Sequence, residues 1–326
     1  MPSLLPIIAA ALTALAAFGS VCTTQAADLV DLYETTQPVI TSNEAAFAEA
    51  LRTVIVRVSG RRDAPARLGA ALDDPQRYVQ RYGFTTQDIL QVGFDSMSID
   101  RLLLEAGLPV WGRERPATLV ALALPQSNGS LRWVSADAPA AEREAIERAA
   151  HERGLPLVWA TLDVQDQAQL DPAGPPGAVL QLAQRHGADA ALLGQSYGSG
   201  AAHWALFTDD GARRSSGAFT DGVHLAADAF AQAFAATGSM LDTIIVEVSG
   251  LADLEAYAET LNYLEGVTLV RSVAVEQVSG DTIRFRLAVR GDAQTLRRAI
   301  GLGRTLIAST AAGGGPGERL VFRYQR

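Results

Sequence analysis

Residues 187–194 read Gly187-Ala188-Asp189-Ala190-Ala191-Leu192-Leu193-Gly194. A helical stretch closes at His186-Gly187, a nearly unbroken apolar run follows, and a glycine ends it. A run this short, bounded by turn residues, reads as a strand buried on both faces. Such strands lie inside α/β sheets, with helices over both sides. The run at 117–124 (ATLVALAL) is of the same kind, and 155–162 reads as a third.

The rest of the chain arranges itself around those strands. A helix begins at Asp137 and Pro139 and closes at Gly154. A Pro/Gly-rich loop at 171–177 feeds the helix before the central strand. Residues 203–208 alternate, turn at Asp209-Asp210-Gly211 and pair with 212–220, and Asp221 caps a helix through 236. The spacing predicts a covered mixed sheet in β-α-β-α-β-β-β-α order over 113–238. Upstream, 27–112 reads as an α/β unit. It holds a strand ending near Pro38, a helix with a Thr41/Glu44 capping box running to Gly60, and a polar loop at 61–70. A short helix at 75–82, a strand at 90–94 and a helix capped by Ser96 or Ser98 follow. Downstream, 239–326 reads as βαββαβ, the ferredoxin-like order, with a Gly-rich linker at 313–317. The likeness of TVIVRVSG (53–60) to TIIVEVSG (243–250) reads as chance, because the flanks differ in period: the first is helical, the second a strand. The expected fold class is therefore α/β and α+β.

Of 326 residues, 48% are apolar and 19% charged, a globular balance. Net charge is −9, with no lysine and with scattered arginines. That balance argues against the basic patch of a nucleic-acid binder and favours a GC-rich genome over Arg-based recognition of phosphate or carboxylate as the reason for the missing lysines. Residues 4–21 are almost wholly apolar, and Thr24-Gln25-Ala26 fits the small-x-small rule. Residues 1–26 therefore read as a signal peptide cleaved after Ala26, with an uncleaved anchor as the alternative. The only cysteine, Cys22, falls inside that segment, and Val21 before it does not fit a lipoprotein signal. The mature chain then has no thiolate ligand and no disulfide.

One stretch carries a catalytic pattern: Gly194-Gln195-Ser196-Tyr197-Gly198, a G-x-S-x-G after a buried strand. A nucleophile elbow needs a helix immediately after the serine, then an acid and a histidine. Here an alternating segment follows, with only His203 and His224 downstream. The expectation is a strand-to-strand turn, with a Ser196 hydrolase as the alternative. None of His151, His186, His203 and His224 stands in metal-ligand spacing, and no phosphate loop or RNA-stacking pattern is present. No cofactor, metal or nucleic acid is implied. Trp111, flanked by Arg113 and Arg115, is the best partner-binding candidate, but core packing of the indole against the 117–124 strand is the favoured reading, since tryptophan is highly buried on average.

The chain resembles an uncharacterised proteobacterial envelope family, domain of unknown function 2066. The likeness lies in AFAEALRTVIVRVSG (46–60), DPQRYVQRYGF (74–84), LPVWGRERP (108–116), RGLPLVWATLD (153–163) and HGADAALLG (186–194). The middle unit is also similar to TolB-type and curli-secretion-type envelope domains, through its helix–GADAxLxG–hairpin–helix pattern. The resemblance implies a secreted periplasmic protein and brings no catalytic residues. The expected role is a non-enzymatic binding or assembly module with an envelope partner. A small-ligand sensor with a cleft at the ends of the middle strands is a further alternative.

Overall fold

The computed structural model describes residues 31–325, apart from 87, 135, 137–139, 199, 239 and 310–318. Residues 1–26, expected to be a signal and holding Cys22, the expected helix start at Asp137-Pro139 and the expected linker at 313–317 lie outside the described residues.

The first unit is a three-stranded antiparallel sheet, β1 (Glu34–Pro38), β2 (Val79–Thr86) and β3 (Ile89–Phe94), in the order β1-β3-β2. Helix α1 (Asn43–Ser59) covers it with the apolar stripe Phe47, Leu51, Val54, Ile55 and Val58. Ser42 caps α1, its hydroxyl accepting the Ala45 N–H, so the cap is one residue beyond the expected Thr41. Gly60 ends α1 at φ 68°, a left-handed cap that costs glycine no Cβ clash. The expected polar loop at 61–70 instead contains a 3-10 turn and the short α2 (Gly69–Asp73), with Ala64 and Leu68 buried. The expected helix at 75–82 is a correction too. Pro75 opens only a 3-10 turn (Pro75–Tyr78), and β2 starts at Val79 because β3 offers it a free edge. Helix α3 (Ser96–Glu105) is capped by Asp95, not by a serine: the carboxylate reaches the Ser98 N–H.

The second unit holds the two-sided strands. Its six-stranded sheet runs β5-β4-β7-β8-β9, with β6 on β4. The strands are β4 (Thr118–Pro125), β5 (Leu131–Trp133), β6 (Leu157–Trp159), β7 (Ala190–Gly198), β8 (Ala201–Thr208) and β9 (Gly211–Ala218). β4 is parallel to β6 and β7, and β7-β8-β9 is an antiparallel meander. Helices α4 (Ala141–Arg153) and α7 (Phe219–Phe234) close one face. Helix α6 (Pro176–Arg185), preceded by the short α5 (Val164–Gln169), closes the other. β4 and β7 are thus buried on both sides, as their apolar runs require. Only three residues of the run at 155–162 pair, because β6 shares one edge of β4 with β5. Asp189 ties the two central strands: its Oδ2 accepts the Ala117 N–H at 2.8 Å, and its own N–H donates to Ala117 O at 2.7 Å.

The third unit contains β10 (Leu241–Ser249), α8 (Leu254–Gly266), β11 (Val270–Ser279), β12 (Thr282–Arg290), α9 (Ala293–Gly301), β13 (Leu306–Ala308) and β14 (Arg319–Tyr324). Its sheet order is β11-β12-β10-β14-β13. The first three strands follow the ferredoxin-like order expected from the sequence. The last departs from it. A helix crossover from β12 should return a strand parallel to β12 beside β10, and β13 does run in that direction. β14 then enters between them, parallel to β10 and antiparallel to β13. Leu320 and Phe322 bring that added strand into the core.

No helix among the described residues is long and apolar enough to cross a membrane.

Candidate functional site

The three units meet at 108–116, the segment LPVWGRERP. Helix C-termini leave carbonyls without intrahelical partners, and two such ends converge here. At the end of α1, Val58 O accepts the Trp111 N–H at 2.7 Å and Arg57 O accepts from Arg115 Nη2 at 2.7 Å. At the end of α4, closed by Gly154, Arg153 O and Gly154 O accept from Arg115 Nη1 at 2.9 and 3.1 Å. Arg115 Nε donates to Gly112 O and Nη2 to Trp111 O. A guanidinium has five N–H donors, and all five are used. The negative ends of two helix dipoles face this cation, and it stacks over the Trp111 ring with Cζ 3.8 Å from the centroid. Burial pulls Arg115 down to about 9, the neighbouring Arg57 adding to the effect, which leaves it charged at neutral pH.

Two more buried arginines surround it. Arg153 Nη2 leaves α4 to reach Gly60 O at 2.8 Å and Asp228 Oδ1, on α7, at 2.6 Å; its Nη1 lies 3.2 Å from His224 Nδ1. Arg57 Nη1 donates to Asp31 O and Glu34 O, within the first unit. Burial draws Arg57 down to about 10. The third unit joins through Thr268, whose N–H donates to Glu114 Oε1 at 2.8 Å and whose Oγ1 accepts the Arg113 N–H at 3.2 Å. Val110 and Ala236 exchange both backbone hydrogen bonds.

A cleft of about 630 Å³ opens above this junction. Gly60, Arg61, Arg62 and Asp63 form one wall, Asp228 and Gln232 of α7 the other, with Pro109 between. Arg61 is paired with Asp63 at 2.6 Å, and Arg62 stands 3.6 Å from Asp228. A smaller cleft of about 420 Å³ lies against β8 and β9, lined by Pro172, His203, Arg214 and Ser216 among others. Clefts at unit boundaries are where ligands and partner segments most often bind.

The residues singled out in the sequence separate on folding. Trp111 is 0% exposed and Arg115 8%, so neither offers a surface for docking; only Arg113 of that trio is exposed. The anchor reading of Trp111 and Arg115 is therefore corrected: the indole fills the junction because two helix ends need the arginine that lies on it. Ser196 sits within β7, followed directly by β8. Its Oγ donates to Ala201 O at 3.0 Å and accepts the Gly198 N–H at 3.2 Å. Ser196 pairs with Ala202 across the hairpin, so His203 points to the opposite face, where its Nδ1 meets Ser216 Oγ at 2.8 Å and its ring packs on Tyr197. His224 lies on α7, at the junction. Sequence reasoning missed Arg57, Arg153 and Asp228. A basic residue in the last turn of a helix is ordinary, so neither Arg57 before Gly60 nor Arg153 before Gly154 stood out. Among the described residues, no group of three or more His, Cys, Asp or Glu side chains is placed to hold a metal ion.

Residues 26–112 match the family described as Domain of unknown function (DUF8605). That description differs from the 2066 family the sequence resembles. No curated protein matches the chain, and no solved structure does.

Proposed function

We propose that the chain is a non-enzymatic binding or assembly module of the cell envelope, exported to the periplasm through residues 1–26. The observation that carries this reading is the cleft over the stapled junction. Its walls come from two different units, and the saturated Arg115 beneath holds them in one relative position. A surface preorganised in that way loses less entropy on binding a partner segment. Arg61 and Arg62 against Asp63 and Asp228 give the rim both charge signs, which suits a polypeptide partner carrying both.

A photo-reactive residue at Gln232, on the cleft wall, tests it against one at Glu105, exposed on α3. Irradiation of cells should yield an adduct of defined mass with the first and not the second, and Arg62→Glu should abolish it. Equal labelling from both positions, or recovery of the protein in the cytoplasmic fraction with residues 1–26 intact, overturns the reading.

The smaller cleft favours a second reading, a small-ligand sensor. His203, Ser216 and Arg214 gather hydrogen-bonding groups of both kinds there. A thermal-shift screen of polar metabolites in which no compound raises Tm counts against it.

A further inference from the structure

We propose that the contact between Arg153 and His224 is a pH-sensitive latch: protonation of His224 removes one of the two acceptors that Arg153 uses on α7, leaves Asp228 as the other, and loosens the hold of that guanidinium on the end of α1.

A guanidinium only donates, so His224 Nδ1, 3.2 Å from Arg153 Nη1, must carry the lone pair and Nε2 the proton. A proton on Nδ1 sets donor against donor and cation against cation. The charged groups around the ring come from three elements. Arg153 belongs to α4, Arg62 to the segment after α1, and Asp221 and Asp228 to α7 itself. Both carboxylates are already engaged. Asp228 takes Arg153 on Oδ1 and Arg62 on Oδ2, and Asp221 takes the Ala218 N–H at 2.8 Å. His224 would therefore gain its charge between two guanidiniums. Burial, then Arg62 and Arg153, hold it below its ordinary value of 6.5 against the pull of Asp228 and Asp221.

The consequence reaches across units because one guanidinium makes every contact. The Arg153 that meets His224 also donates to Gly60 O at the cap of α1. If Arg153 withdraws from a protonated ring, Gly60 O loses its donor and the wall of the cleft carrying Arg61 and Arg62 is freed. The sign follows from linkage. The folded value lies below the unfolded one, so the latch is fully closed above about 6.5 and weakens as pH falls through and below it.

Amide hydrogen exchange on the full chain, corrected for intrinsic rates, tests this without reference to any partner. Exchange at 55–62 and 107–112 should rise about tenfold as pH falls from about 7.5 to about 4.5, a window that extends below the ordinary imidazole range because the folded ring gains its proton there. Exchange at 283–289, in the third unit, should not change. In His224→Asn, whose Oδ1 can stand where Nδ1 stood and does not titrate, the rise should be absent; His151→Asn should retain it. A wild-type profile that stays flat, or a His224→Asn variant that keeps the rise, overturns the latch. Should that variant fail to fold, the imidazole titration of His224 in the wild type, followed by NMR, must share its midpoint with the exchange profile; separate midpoints overturn the latch as well.

Discussion

The Arg115 guanidinium sits over the Trp111 indole, 3.8 Å from the ring centroid, with each of its five N–H groups on a backbone carbonyl. The carbonyls belong to the ends of two helices and to the turn between them. One side chain thereby satisfies two helix termini and fixes the first unit against the second.

Arg115→Lys keeps the charge and should still lose about 3–5 kcal/mol of stability, since an ammonium has three donors and no fork to span both helix ends. Trp111→Ala should lose a similar amount, about 3–5 kcal/mol, through the cavity it leaves. Denaturant unfolding of each measures this. A lysine variant within about 1 kcal/mol of wild type shows that the carbonyls find water instead.

Gly60→Ala and Gly107→Ala both place a Cβ at positive φ, 68° and 66°. A Cβ at 107 meets open space, whereas one at 60 overlaps Ala231 Cβ on α7 and presses on Trp111. Gly107→Ala should cost about 1–2 kcal/mol, the left-handed penalty alone. Gly60→Ala should cost clearly more and change tryptophan emission. Equal losses of stability would falsify the close approach of α1 and α7.

Asp189→Ala leaves the Ala117 N–H without its carboxylate acceptor and should cost about 1–3 kcal/mol, while Asp189→Asn retains an acceptor and should cost less. Chemical denaturation resolves the two. The need for that acceptor accounts for an aspartate inside an otherwise apolar run.

Asp100 accepts the Tyr33 hydroxyl at 2.8 Å. Burial raises its carboxyl above the ordinary 3.8, outweighing that hydrogen bond and the charges of Arg290 and Arg271. The folded state then binds the proton more tightly than the unfolded one. Stability from this group is full below 3.8 and is lost as pH rises through the raised value. Asp100→Asn should therefore be at least as stable as wild type at neutral pH, with a flatter stability profile in the acidic range. A steeper profile for the variant refutes this.

Ser196 spends its hydroxyl on the turn that joins β7 to β8. A fluorophosphonate probe should not label the protein, and Ser196→Ala should cost about 1 kcal/mol of stability. Labelling that Ser196→Ala removes would reinstate a hydrolase.

Local periodicity made much of this fold legible. The runs at 117–124 and 190–193 could only satisfy their apolar faces inside a covered sheet, and β4 and β7 lie there. The stripe from Phe47 to Val58 placed α1 and its stop at Gly60. A short string taken without its flanks decided nothing. TVIVRVSG is helical at 53–60 and the similar TIIVEVSG is a strand at 243–250, because one closes a helix lying on a sheet and the other pairs with β12 and β14. The entry of β14 beside β10 has no counterpart in spacing, since it depends on which edge stands open when the chain returns.

The candidate site follows the same division. Residue order alone determined that 108–116 is a turn-rich, arginine-flanked segment between two units, and that buried strands, helices and capping glycines surround it. Tertiary structure alone decided that Trp111 faces inward, that Arg115 collects the ends of α1 and α4, and that Arg153 meets His224 and Asp228 some seventy positions away. The reason is physical. A helix or strand period is set by neighbours along the chain, whereas the partner of a buried charge is set by whichever orphaned carbonyl or carboxylate packing brings within hydrogen-bond reach.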